Sequence, residues 1–210
     1  MIYTWMAPPF EMKPFNEMNK KEAQQYFEWY TGEIPERIKI LDELTEDWVT
    51  LDYTKESLID LFSWYLKVIT IREMSEEEIG AELEQYSQYP KHIYDDMKQE
   101  LLENPVDLEK IDYAIAMDIA IYYGETIRKN YPQVKWTYFT KPKSYVYLNE
   151  PLLHFQDAKD ELISYEREPR SLMLVLVHKI KEQDVTEMEL YDTFLMDEKD
   201  ILGIFEDPED

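Results

Sequence analysis

Residues 108–129 read LEKIDYAIAMDIAIYYGETIRK, and residues 126–149 carry on as TIRKNYPQVKWTYFTKPKSYVYLN. In the first stretch Leu108, Ile111, Ala114, Ile115, Met117, Ile119, Ala120, Ile121 and Ile127 cover most of the circumference of a helix. A helix apolar on nearly every side belongs at the centre of a domain. Asp107 stands where an N-cap is expected, and Arg128 and Lys129 suit the negative end of the helix dipole. Pro132 forbids continuation.

The second stretch holds no Asp or Glu but has Arg128, Lys129, Lys135, Lys141 and Lys143. It carries +5 in a chain of net charge −24, so everything outside it sums to −29. Val134, Trp136 and Tyr138 alternate with Lys135, Thr137 and Phe139. Lys141-Pro142-Lys143 is a turn, and Tyr145 to Leu148 is a second β-prone run. This pattern predicts a β-hairpin near 134–148, with Leu152 to Phe155 as a candidate third strand.

Helical periodicity surrounds this centre. Asn19 and Glu22 form a capping box for a helix over 20–30, stopped at Gly32, and Pro35 restarts a second helix, so that the two make a hairpin. Thr54 caps a helix to about Ile69. Ser75 and Glu78 are a second capping box, for a helix to about Tyr86, and 91–103 is amphipathic through Ile93, Met97 and Leu101. Asp157 to Tyr165 reads as helical, Pro169 opens a helix carrying Leu172 to Val177 inward, and Thr186 with Glu189 caps a last helix presenting Met188, Tyr191 and Leu195. The expected fold is α+β, mostly α: one helical domain around a buried central helix with a small antiparallel sheet. Residues 1–15 form an extended arm, 16–196 the domain and 197–210 an acidic tail.

Composition narrows the chemistry. The 210 residues contain four glycines and no cysteine. Dinucleotide and P-loop glycine motifs, the serine-hydrolase elbow, disulfides and thiolate metal sites are therefore excluded. The N-terminus lacks the basic residues of a signal peptide, and the longest apolar run, Leu172 to Val177, is far short of a membrane span. A soluble cytoplasmic protein is expected. A surface this negative repels nucleic acid and anionic membranes and favours a protein partner with a basic surface.

Asp118, Tyr122 and Glu125 share one face of the central helix. Buried carboxylates need partners, and Lys135, Lys141, Lys143, Arg128 or Arg170 are the expected ones, locking the hairpin to the helix beside Trp136. Asp118, Tyr122, Glu125, Lys135, Trp136, Lys141 and Lys143 are accordingly the candidate binding residues. Exposed, unpaired lysines would overturn that pairing and leave the window as a patch for a small anionic ligand. No catalytic set is complete. His92, Asp96 and Glu100, at i, i+4 and i+8, imitate a metal-binding face but read as a solvated surface; His154 and His178 are isolated. No metal or other cofactor is expected.

Several segments resemble a poorly characterised family of bacterial cytosolic proteins. They are Phe15-Asn16-Glu17-Met18, Glu22-Ala23, Phe27-Glu28-Trp29-Tyr30, Ile34-Pro35-Glu36-Arg37, Leu51-Asp52-Tyr53, Ser57-Leu58, Met117-Asp118-Ile119, Tyr122, Gly124-Glu125, Lys135-Trp136 and Pro151-Leu152. Some members of that family resemble immunity partners of bacterial toxins. The resemblance implies a protein that works by binding another protein and gives no residue a chemical role. The leading expectation is a non-enzymatic acidic binding protein, an immunity or antitoxin factor masking a basic partner. Two alternatives stay open: an enzyme using Asp118 and Glu125 with a divalent metal, and a regulatory or scaffolding module docking through its acidic tail.

Overall fold

The computed structural model describes residues 3, 5–155 and 166–204. The helix expected over 157–165 and the end of the acidic tail, 205–210, lie outside the described residues. Within them are seven α-helices and two small antiparallel sheets, an α+β architecture dominated by helix.

Helix α5, Lys110–Asn130, is the centre. Every residue from Asp118 to Ile127 is buried, as its all-round apolar pattern requires. It packs against α1 (Lys20–Thr45) and α6 (Pro169–Lys181), while α2 (Glu56–Val68) packs on α7 (Glu189–Leu202). The core runs through Leu58, Phe62 and Tyr65 of α2, Met173 and Leu176 of α6, and Leu190 and Phe194 of α7. Helix α7 turns a different face inward from the one expected: Leu190, Phe194, Asp197 and Ile201 are buried, Met188, Tyr191 and Leu195 only half so. The first residues of the acidic tail thus continue this helix, which ends at Gly203 in a left-handed conformation (φ 65°).

Two elements differ from the sequence reading. The expected helical hairpin over residues 20–45 is one continuous helix, α1, with Pro35 inside it. Proline costs a helix interior roughly 3 kcal/mol. Here an unbroken buried stripe, Ala23, Tyr26, Tyr30, Ile34, Arg37, Leu41 and Thr45, offsets that cost by lying along α5. Asp107 is no N-cap; it belongs to strand β2, Val106–Leu108, and Glu109 precedes α5.

The sheet beside α5 is made by β3 (Lys135–Thr137), β4 (Leu152–His154) and β5 (Glu166–Arg167) in that order. Strand β3 pairs with Leu152–His154 rather than with Tyr145 to Leu148, whose one ladder contact among the described residues is a bridge from Leu148 to Phe139. Burial explains the choice. Leu152 and Leu153 are fully enclosed, whereas Val146 is 75% exposed, so β-propensity in the Tyr-Val-Tyr run loses to the side chains that can be taken from water.

The second sheet pairs β1, Ile71–Glu73, with β2 in antiparallel register, Ile71 opposite Leu108 and Glu73 opposite Val106. Between these strands the chain leaves the body as two helices, α3 (Glu76–Tyr86) and α4 (Lys91–Glu103), packed on each other.

Candidate functional site

The seven sequence candidates do not converge on one site. Asp118 is 1% exposed and held by Arg37 of α1, with Nε to Oδ1 at 2.8 Å and Nη2 to Oδ2 at 2.5 Å. The Tyr3 hydroxyl donates to the same carboxylate, and the Arg37 guanidinium lies over the Tyr3 ring. Burial pushes the Asp118 carboxyl above its ordinary value, while hydrogen bonds from Arg37 and Tyr3 pull it back. Tyr122 points elsewhere: its hydroxyl shares a 2.7 Å hydrogen bond with Ser57 and accepts the Tyr53 N–H at 2.8 Å. Glu125 accepts from Arg128 at 2.5 Å and from the Trp136 indole N–H at 2.8 Å.

The expected lysine partnership is overturned. Lys135, Lys141 and Lys143 are exposed and make no ion pair among the described residues. Asp118 takes a guanidinium from α1, and Glu125 takes Arg128, the one expected cation that lies a helical turn away on α5. A buried carboxylate is best compensated by a planar two-pronged donor, which a lysine ammonium cannot supply. Trp136 locks sheet to helix in their place. Its ring rests on Gly124, where an added Cβ would meet Cζ2 at 2.5 Å, and meets Tyr30 edge-on at 5.6 Å between centroids.

Sequence reasoning missed Arg37, Tyr3 and a second buried pair. In that pair Asp197 of α7, fully buried, accepts three bonds from Arg167 of β5, two of them shared by Nε, and one of 2.7 Å from the Tyr123 hydroxyl. One signal was present: Arg37 sits on the apolar stripe of α1, between Ile34 and Leu41. A cation at such a position announces a buried anion. These ion pairs are closed, with each carboxylate occupied by a guanidinium.

The unusual surface lies elsewhere. From residue 66 through 107 no residue is buried. Between Ile71 and Leu108 the chain carries eleven acids against three bases, Arg72, Lys91 and Lys98. Helices α3 and α4 pack on each other; Ile79, Leu83, Tyr86, Met97 and Leu101 are half-buried, while Tyr89 between the helices and Ile93 and Leu102 of α4 are exposed. The base of this arm is fastened by local chemistry. The Ser75–Glu78 capping box closes at 3.2 and 2.8 Å, Arg72 grips Glu78 at 2.6 Å, and Met74 N–H donates to Pro105 O. The Arg72 fork and the Ser75 bonds hold the Glu78 carboxyl down to about 2. Against the body the arm has Asn104 Nδ2 on Lys181 O at 2.9 Å and Lys181 Nζ 3.7 Å from Asp107.

No helix among the described residues is long and apolar enough to cross a membrane. No family model, no curated protein and no solved structure matches this chain.

Proposed function

We propose that this is a non-catalytic, acidic protein-binding protein whose α3–α4 arm docks on the basic surface of another protein, as an immunity or antitoxin factor masking its partner would. One observation carries the reading: a pair of helices that contributes no buried residue to the fold, is dense in carboxylates, and exposes apolar side chains among them. Helices of this length are marginal alone in water, and an interface core of apolar residues inside a charged rim is the usual anatomy of a docking surface. Complementary charge accelerates encounter and selects cationic partners. The enzyme alternative finds less support, since Asp118 and Glu125 are engaged by separate guanidinium groups rather than by a common cavity. The acidic-tail alternative is weakened by the burial of Asp197 and Ile201 within α7.

The test compares the full chain with a variant in which 74–105 is replaced by Asn-Gly, a turn suited to joining β1 and β2. Both are used as bait in native lysate at low and at high salt. A basic protein retained by the full chain at low salt, released at high salt and never held by the shortened chain is the expected result. Equal capture by the two chains, or capture indifferent to salt, refutes docking through the arm.

A further inference from the structure

Where α4 of the arm meets α6 of the body, Glu100, His178 and Glu182 come together. His178 Nε2 lies 3.4 Å from Glu100 Oε1 and 3.5 Å from Glu182 Oε1, and one donor atom from each of the three residues falls within 4.8 Å of the others. His178 of α6 and Glu182, the residue that ends it, are one helical turn apart, so both project to the same side. All three line a cavity of about 250 Å³ together with Tyr86, Met97 and Lys181.

Three features point to a cation. Among the described residues neither Glu100 nor Glu182 has a Lys or Arg partner, Lys181 being the cavity's cation and standing 3.7 Å from Asp107. Two carboxylates therefore face one imidazole and leave an uncompensated negative charge. The two oxygens also stand farther from Nε2 than the roughly 2.7–3.2 Å of a good hydrogen bond. Ligand bonds of about 2.0–2.1 Å to a tetrahedral ion place neighbouring donor atoms about 3.4 Å apart, which is the spacing of His178 Nε2 from each carboxylate oxygen; the two carboxylate oxygens stand within 4.8 Å of each other. The set is exposed, so an ion can enter.

We infer that Glu100, His178 and Glu182 bind a divalent transition-metal ion, with zinc the best fit to one imidazole and two carboxylates. Two anionic oxygens and a neutral imidazole balance its charge, and the fourth tetrahedral position opens to water on the cavity side. Because Glu100 belongs to the arm and the other two ligands to the body, the ion clamps α4 to α6. This inference stands apart from the partner-binding reading. On its own helix Glu100 shares a face with His92 and Asp96, but the histidine it meets belongs to α6.

Zinc chloride is titrated calorimetrically into the full chain, stripped with chelator, with excess magnesium present. One equivalent should bind. His178→Ala and Glu182→Gln should each weaken binding by at least about tenfold, the scale on which a metal site responds even to loss of a supporting group, and His92→Ala should leave it unchanged. Cobalt(II) substituted for zinc should show the intense visible bands of a tetrahedral site, lost in His178→Ala. Binding that is equal in the His178→Ala and His92→Ala variants, or that magnesium abolishes, means attraction to a generally acidic surface and overturns the site. Zinc should also slow amide exchange in α4; binding through His178 without that slowing overturns the clamp.

Discussion

At the scale of single residues the molecule is decided by buried charge. Arg37 and Asp118 are 3% and 1% exposed and satisfy each other through two hydrogen bonds. Removing one member of such a pair leaves a charge in the core, at a cost of about 3–5 kcal/mol, while replacing both with apolar groups is often neutral. Asp118→Leu should therefore lower the unfolding free energy by about that amount in urea, and Arg37→Met should do the same. The double variant should recover most of the loss, giving a coupling energy of opposite sign to the single effects. Additive losses would mean that the two side chains do not answer each other. The same pair shows how far the sequence could be read. Burial of Asp118 followed from the all-round apolar pattern of α5, and so did its need for a partner. The partner's identity did not follow, because the window from Thr126 to Asn149 offered five cations nearby in sequence, whereas Arg37 lies 81 residues away. Only the packing of α1 on α5 brings it there.

At the scale of elements, the two capping boxes were legible, whereas the caps expected at Asp107 and Thr186 do not form: α5 is preceded by Glu109 and α7 by Met188, neither with a side-chain cap. Both capping boxes, Asn19–Glu22 and Ser75–Glu78, form as their spacing demands. The α3 box has a pH signature. The ordinary glutamate value is 4.5, and in the folded arm Glu78 is held down to about 2. A carboxyl depressed by folding stabilises above its unfolded value and loses that contribution as pH falls through its folded value. The start of α3 should thus be fully held above pH 4.5 and should loosen progressively as pH falls from 4.5 towards 2. Amide resonances of Ser75 and Glu78 followed by NMR should titrate together near the low end of that window. In Glu78→Gln the transition should vanish; persistence of the same titration would assign it to another group. Illegible elements share a cause. The helix break expected at Gly32-Pro35 and the strand expected at Tyr145 to Leu148 were local preferences, each overruled by burial in the tertiary fold: of Ile34, Arg37 and Leu41 in one case, of Leu152 and Leu153 in the other. Amphipathic periodicity marked α3 and α4 as helices but could not show that neither would bury a residue.

At the scale of the whole molecule, stability and exposed acidity are separated. The body places its enclosed side chains around α5, and the stretch from residue 66 to 107 adds none. Folding free energy comes chiefly from apolar area removed from water, so the arm should open on its own while the body stays folded. Native-state hydrogen exchange should find the amides of α3 and α4 exchanging through a local opening that hardly responds to low urea. Amides from Asp118 to Ile127 should exchange only through global unfolding, with the full urea dependence. Excising 74–105 in favour of Asn-Gly should leave the unfolding free energy of the body within about 1 kcal/mol, the range expected when surface is changed without touching the core. If α5 amides instead exchange orders of magnitude faster in the shortened chain, the arm is part of the cooperative core and its spare carboxylates and apolar side chains serve the fold. If they do not, the nine acids between residues 74 and 105 add nothing to the stability of the body, and what they contact in another molecule is set by charge and by the apolar residues exposed among them.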